Sequence, residues 1–299
     1  MDPSKSVWTE RWRPKKVIDM VGDGSIKELV TNYLKDEKAI PHFLLYSKTP
    51  GTGKTTLAKA IINELGCDAL ILNSSDDRKI ETIRDKVKEF AMTKSSQENK
   101  RRCVFLDEFD GMLKASQEAL RNIMETYVSN VFFILTANNI NKVIDPLKSR
   151  CKIISFAYPK KEEILQYLIT ICKGEDLQYD EAALNELINL NYPSIRNCVI
   201  SLQDIKTAGK TVVMETIKAN DDEFMQYYAL LKANKWRELK QVVIESRIDT
   251  RELNTFFWKK ALDEDNLKVI QICCRNEKDI AWGADPKIVF VTSIIELCR

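Results

Sequence analysis

A chain of 299 residues is long enough for two or three domains, each burying its own core. Charged residues make up 30% of it yet nearly cancel, to a net +2, which excludes a uniformly basic nucleic-acid coat and confines any DNA contact to a local patch. Eight cysteines scattered without a CxxC pair, beside the single histidine His42, argue against a disulfide scaffold or structural zinc and suit a reducing compartment.

The opening Met1-Asp2-Pro3-Ser4-Lys5 lacks the apolar core of a signal peptide, and no stretch approaches the roughly 20 apolar residues of a membrane span. A soluble, cytoplasmic protein is expected. From Pro41 to about Tyr158, short apolar runs alternate with amphipathic helices, the pattern of a parallel sheet flanked by helices. The strands are expected at 43–46, 69–72, 103–106, 131–136 and 152–156.

After the first of these runs comes Pro50-Gly51-Thr52-Gly53-Lys54-Thr55-Thr56, which opens a helical stretch to Leu65. A glycine-rich turn between strand and helix points backbone N–H groups at an anion, and the helix N-terminus adds partial positive charge. Lys54 is a compact cation for the β- and γ-phosphates of a nucleotide, and the Thr55 hydroxyl is a ligand for Mg²⁺. One position departs from the GxxxxGK[ST] pattern, Lys48 standing where the first glycine would be. That departure bears on the entry to the loop.

The second strand ends at Ile71-Leu72-Asn73, and the helix expected over about 80–91 carries an apolar face and a basic edge. The third strand runs out in Asp107-Glu108, a Walker B arrangement. Strand alternation sends neighbouring side chains in different directions, so Asp107 can support Mg²⁺ while Glu108 faces an attacking water as general base. Alone, the same letters describe an ordinary strand ending in an acidic turn.

Leu135-Thr136-Ala137-Asn138-Asn139 closes the fourth strand. Ligands collect at the carboxyl ends of the strands in an open parallel sheet, which would bring Asn138 near the γ-phosphate; a loop asparagine capping a helix is the plainer alternative. Ser149-Arg150-Cys151 lies at the domain's edge. In a monomer Arg150 would be a routine surface charge, whereas across a subunit interface it would stabilise charge on a neighbour's ATP.

Beyond Pro159 the expected strands stop, and 161–173, 180–190 and 194–206 read as helices. A polar stretch at Ala219-Asn220-Asp221-Asp222 opens another helical block reaching Arg299. Boundaries are therefore expected near 158 and 220. The last block is rich in bulky aromatics (Trp236, Phe256, Phe257, Trp258, Trp282), as a subunit-packing collar or a free-standing core would be.

Taken together, the segments WTERWRP, PGTGKTT, FLDEFD, LTANN and SRC resemble, in this order and spacing, the clamp-loader branch of the AAA+ ATPases. The DEFD and TANNI segments look most like the large clamp-loader subunit of T-even-like bacteriophages, with the replication factor C small subunit next. The resemblance implies an α/β P-loop AAA+ domain over 1–158, a helical lid over 159–220 and a helical collar for oligomerisation over 221–299. It implies an ATP hydrolase, using ATP and Mg²⁺ and stimulated by DNA and clamp, that loads a ring-shaped sliding clamp on primer-template DNA during replication. It would work as a hetero-pentamer with copies of itself and a distinct small subunit. A non-hydrolysing nucleotide-binding scaffold and a DNA-translocating AAA+ motor are the rival readings.

The resemblance also assigns residues. Glu10, Arg11, Trp12, Arg13 and Pro14, with Val21, match the adenine-binding edge; an arm packing Trp8 and Trp12 into the core is compatible with that. Asn138 matches the first sensor, Arg196 the second, and Arg150 the finger acting in trans. Asn73 matches a residue that holds the Walker B glutamate inactive. Lys79 and Arg84 match phosphate contacts to DNA, whereas Phe90 and Met92 are candidates for touching the clamp. Arg121-Asn122 stands where many relatives carry paired arginines, which leaves a role for Arg121 between subunits open.

Overall fold

The computed structural model describes residues 7–36, 39–74, 80–93, 101–246 and 248–298. They divide into two compact units that meet in sequence at Val213 and Met214. Position 220 lies within a helix running unbroken from Met214 to Lys232.

In the first unit, strands β1 (His42–Tyr46), β2 (Ala69–Asn73), β3 (Arg102–Asp107), β4 (Val131–Ala137) and β5 (Cys151–Ser155) form one parallel sheet in the order β2-β3-β4-β1-β5. Each agrees with its expected position to within a residue or so at either end. Side-chain alternation splits the strands between two cores. Leu44, Val104, Leu106, Phe133 and Leu135 face one, while Phe43, Leu45, Phe105, Phe132 and Ile134 face the other.

Helices cover both faces. Helix α1 is Trp8–Arg11, α2 is Gly24–Leu34, α3 is Lys54–Leu65, α4 is Ile80–Met92, α5 is Lys114–Thr126 and α6 is Asp145–Lys148. Helices α2 and α3 supply Val30, Leu57, Ala58 and Ile61 to the core behind Phe105. Helices α4, α5 and α6 supply Val87, Ala91, Leu120, Ile123, Met124 and Leu147 to the opposite one. Helices α7 (Lys161–Gly174), α8 (Glu181–Asn191) and α9 (Ile195–Thr207) follow, and they contact one another and, through α9, helix α1.

The second unit contains α10 (Met214–Lys232), α11 (Trp236–Glu245), α12 (Thr250–Asp263), α13 (Leu267–Ala281) and α14 (Pro286–Leu297). Several starts are written in the sequence: Asp249, Asn266 and Asp285 accept backbone N–H groups of the first turns of α12, α13 and α14. Phe257 is fully buried and meets Tyr228 and Phe290 edge to face, with centroids 5.3 and 5.5 Å away. Trp236, Phe256 and Trp258 pack partly buried against the same core. Most of the aromatic bulk thus serves the unit's own interior, and Trp282 alone of the five expected aromatics is largely exposed, at 81%.

Among the described residues, no helix is long and apolar enough to cross a membrane, and no group of three or more His, Cys, Asp or Glu side chains stands ready to hold a metal ion.

Candidate nucleotide-binding and hydrolysis site

The loop after β1 turns on two glycines in the left-handed region, Gly51 at φ 77° and Gly53 at φ 104°. Gly51 is also hemmed in, since a Cβ there would come 2.4 Å from Ser194 Oγ. A side chain is thus barred twice, by dihedral and by contact. Lys48 is exposed at the loop entry. The entry is instead held by Ser47, whose N–H donates to Ala137 O at 3.2 Å and whose hydroxyl donates to Thr49 O at 3.1 Å. The missing first glycine therefore costs this turn nothing visible.

Lys54 begins α3 and is 8% exposed. Its ammonium donates to the carbonyls of Thr49 (3.2 Å) and Ser47 (3.5 Å). Burial holds it below the usual lysine range, partly offset by Asp107 and Asp110. A cation kept at a helix N-terminus among glycine-loop amides suits a polyphosphate. Thr52 turns inward, its hydroxyl 3.4 Å from Thr49 O.

The carboxylate of Asp107 accepts from Thr55 Oγ1 at 3.1 Å to each oxygen, and from Thr136 Oγ1 at 2.5 Å. Thr136 also accepts the Glu108 N–H at 3.0 Å. One buried hydroxyl on β4 therefore ties the two Walker B acids together. Its position was visible in the sequence but its role was not, because it depends on β4 lying beside β3. Glu108 itself sits in the left-handed region at φ 53°, with its side chain exposed, off the line of the strand. A hydroxyl and carboxylate of this kind, hard oxygens in a group, suit Mg²⁺.

Asn138 is half-buried, and its Oδ1 has no hydrogen-bond partner among the described residues. The capping alternative belongs to its neighbour: Asn139 accepts the Asn141 N–H at the start of the turn Ile140–Lys142. Asn73 lies at the end of β2 opposite Asp107 in the strand register.

A cavity in front of the loop is lined by Gly51, Gly53, Lys54, Thr55 and Thr56, by Thr9, Arg13, Pro14, Met20 and Val21 of the N-terminal segment, and by Tyr167, Ile195, Arg196 and Val199. Arg13, Pro14, Val21 and Arg196 were expected there. Thr9, Met20, Tyr167, Ile195 and Val199 were not, being separated from the loop in sequence. Arg13 reaches the loop directly, with Nη1 3.0 Å from Thr56 Oγ1.

The neighbouring Glu10, Arg11 and Trp12, expected at the adenine edge, are not among the residues lining the cavity. Glu10 pairs with Arg13 and Lys59. Trp12 donates its indole N–H to Glu175 at 2.6 Å, and Arg11 pairs with the same carboxylate. The Trp12 ring covers Gly174, where a Cβ would fall 2.1 Å from it, and Tyr167 donates to the Trp12 carbonyl at 2.7 Å. With Trp8 5% exposed, the arm is a brace between the loop and helices α7 and α9.

Arg150 stands elsewhere on the unit, exposed, with Nη1 donating to Pro146 O at 2.7 Å and Nη2 paired with Glu125. It is absent from the lining of its own chain's cavity. Arg84 is exposed and paired with Asp85, Arg121 pairs with Glu118, and Lys79 lies outside the described residues. Met92 is 58% exposed. Phe90 is otherwise engaged: it packs on the core beside Val104, with the Arg102 guanidinium 3.6 Å above its ring.

A model of the ATPase family associated with various cellular activities (AAA) matches residues 44–158, the span from β1 to just past β5. The replication factor C small subunit of Sulfolobus acidocaldarius is 32% identical over 302 residues, covering 94% of this chain and 92% of its own length. The chain belongs to the replication factor C small-subunit family. The member from Staphylothermus marinus is 35% identical over 252 residues, covering 81% of this chain and 76% of its own. That from Sulfurisphaera tokodaii is 39% identical over 217 residues, covering 71% of this chain but just under two thirds of its own, 66%. Among solved structures, the RuvB Holliday junction branch migration motor of Thermotoga maritima matches with a TM-score of 0.59 at 17% identity, over 82% of this chain and 84% of that one. This likeness concerns the fold alone.

Proposed function

We propose that this family member is an ATP hydrolase subunit of a clamp loader, using ATP to place a ring-shaped sliding clamp on primer-template DNA in replication. The observation that carries the hydrolase reading is the clustering of Lys54, Thr55, Asp107, Glu108 and Asn138, whose amide oxygen has no partner among the described residues, near the carboxyl ends of β1, β3 and β4. Homology to replication factor C small subunits supports the loader reading.

The residues divide the work as follows. Thr55 and Asp107 hold Mg²⁺, which when bound neutralises phosphate charge. Lys54 and the loop N–H groups bind the β- and γ-phosphates. Glu108 takes a proton from the water whose oxygen attacks the γ-phosphorus, as the bond to the β-phosphate oxygen breaks and ADP leaves. Asn138 orients that water, and Arg196 senses nucleotide from α9. Asn73, at the end of the strand beside the Walker B strand, restrains Glu108 until DNA binds.

Arg150, exposed and outside its own cavity, serves a neighbour's ATP, so the working form is an assembly of several copies with a distinct small subunit as a hetero-pentamer. Arg84 and Lys79 contact DNA phosphates, and Met92 touches the clamp. The nucleotide domain, lid and collar correspond to 1–158, 159–220 and 221–299 in this proposal. The narrower likeness to T-even-like phage loaders, and with it a site of action in the cytoplasm of an infected bacterium, rests on the FLDEFD and TANNI segments.

Steady-state ATP turnover of the chain with its associated subunits, measured alone, with primer-template DNA, and with DNA plus a ring clamp, tests the reading. Stimulation by DNA that rises further with clamp is expected. Turnover indifferent to the clamp would reject the loader in favour of another DNA-dependent motor, and no turnover would favour a nucleotide-binding scaffold.

A further inference from the structure

We infer that Glu125 is a positioning residue for Arg150, holding its guanidinium ready for the neighbouring subunit's nucleotide; this rests on the in-trans reading of Arg150 above. Glu125 lies near the end of α5, a helix whose placement is set by Leu120, Ile123 and Met124 in the same buried cluster as Leu147 of α6, three residues before Arg150. Its Oε1 takes Arg150 Nη2 in a close ion pair. On the other arm of the fork, Nη1 donates to Pro146 O at 2.7 Å and lies 3.4 Å from Ser149 Oγ. Both carboxylate and guanidinium remain part exposed, at 45% and 38%.

These contacts occupy at most three of the five N–H donors of a guanidinium, so a phosphate oxygen can be met without breaking them. An arginine loose on the surface would have to surrender side-chain rotamer entropy on each turnover. One held at both arms arrives already oriented, which lowers the barrier of the chemical step. An exposed pair contributes little to fold stability, so its effect belongs in the rate.

The test uses the assembled complex with ATP and primer-template DNA, and compares Glu125→Ala, Glu125→Asp, Arg150→Ala and the double variant Glu125→Ala/Arg150→Ala. Glu125→Ala is expected to lower DNA-stimulated kcat about tenfold with ATP affinity and melting temperature unchanged. Glu125→Asp should recover much of that loss, and in the Arg150→Ala background Glu125→Ala should add nothing. Full turnover in Glu125→Ala beside a defective Arg150→Ala would overturn the inference, as would losses that multiply in the double variant. Undiminished turnover in Arg150→Ala would instead bring down the in-trans role itself.

Discussion

At the scale of single residues, the site depends on small groups whose chemistry is unambiguous and whose placement is not. Glu108 points out of the strand end while Asp107 is clasped by two hydroxyls, so the two adjacent acids have different surroundings. Glu108→Gln keeps the shape and all phosphate contacts but cannot accept a proton; nucleotide binding should persist and turnover should fall by at least about 100-fold. Turnover near wild type would remove Glu108 as the base. Thr136→Val leaves Asp107 short of a donor and the Glu108 N–H without its acceptor. The half-saturating Mg²⁺ concentration for turnover should rise, and Thr136→Ser should restore it. Equal Mg²⁺ dependence in all three proteins would show that Thr55 suffices.

His42, on the interior strand β1 between β4 and β5, is a different kind of residue. Its Nδ1 accepts the Phe133 N–H at 3.1 Å, and burial, aided by nearby Arg101, pushes its pKa down to about 4 from 6.5. As pH falls, the unfolded chain therefore takes up this proton before the folded one does. Stability present above the unfolded pKa is lost between about pH 6.5 and 4, by roughly 3 kcal/mol for the full shift. Urea melts over that range should have a shallower pH dependence in His42→Gln, which can still accept the N–H. An unaltered slope would assign the acid sensitivity to other groups.

Elements differ in how strongly their neighbours fix them. The strands are pinned from both faces, and Phe105 is fully buried in the middle of β3. Phe105→Ala should cost about 4 kcal/mol, read as a shift in the denaturation midpoint without a change in slope. In the helical unit the corresponding constraint is polar. Asn276 donates to Asn254 Oδ1 (3.0 Å) and Ser293 Oγ (2.9 Å), joining α12, α13 and α14 inside an apolar core. Asn276→Ala should cost about 2 kcal/mol, because two buried acceptors lose their donor. A loss no larger than that of a surface substitution would mean that water replaces the amide.

For the whole molecule, the two compact units each have a hydrophobic interior of their own, and the cavity, loop and Walker B acids belong entirely to the first. A fragment ending at Val213 should fold cooperatively and bind ATP as tightly as the full chain. A fragment that binds weakly would mean that the second unit supports the site.

What the sequence determined by itself was periodic or local. Alternating apolar runs announced the parallel sheet, PGTGKTT the tight glycine turn before α3, and FLDEFD an acidic pair at a strand end, because each depends on residues a few places apart. Only the tertiary structure decided what lies across from them. It brought Thr136 to Asp107 through strand pairing, and Tyr167, Ile195 and Val199 to the loop through helix packing. It set the Trp12 ring on Gly174 and Phe90 under the Arg102 guanidinium. An aromatic or a hydroxyl has the same letter whether it lines a cavity or braces a helix; its role is fixed by the neighbour it meets, and those neighbours come from distant parts of the chain.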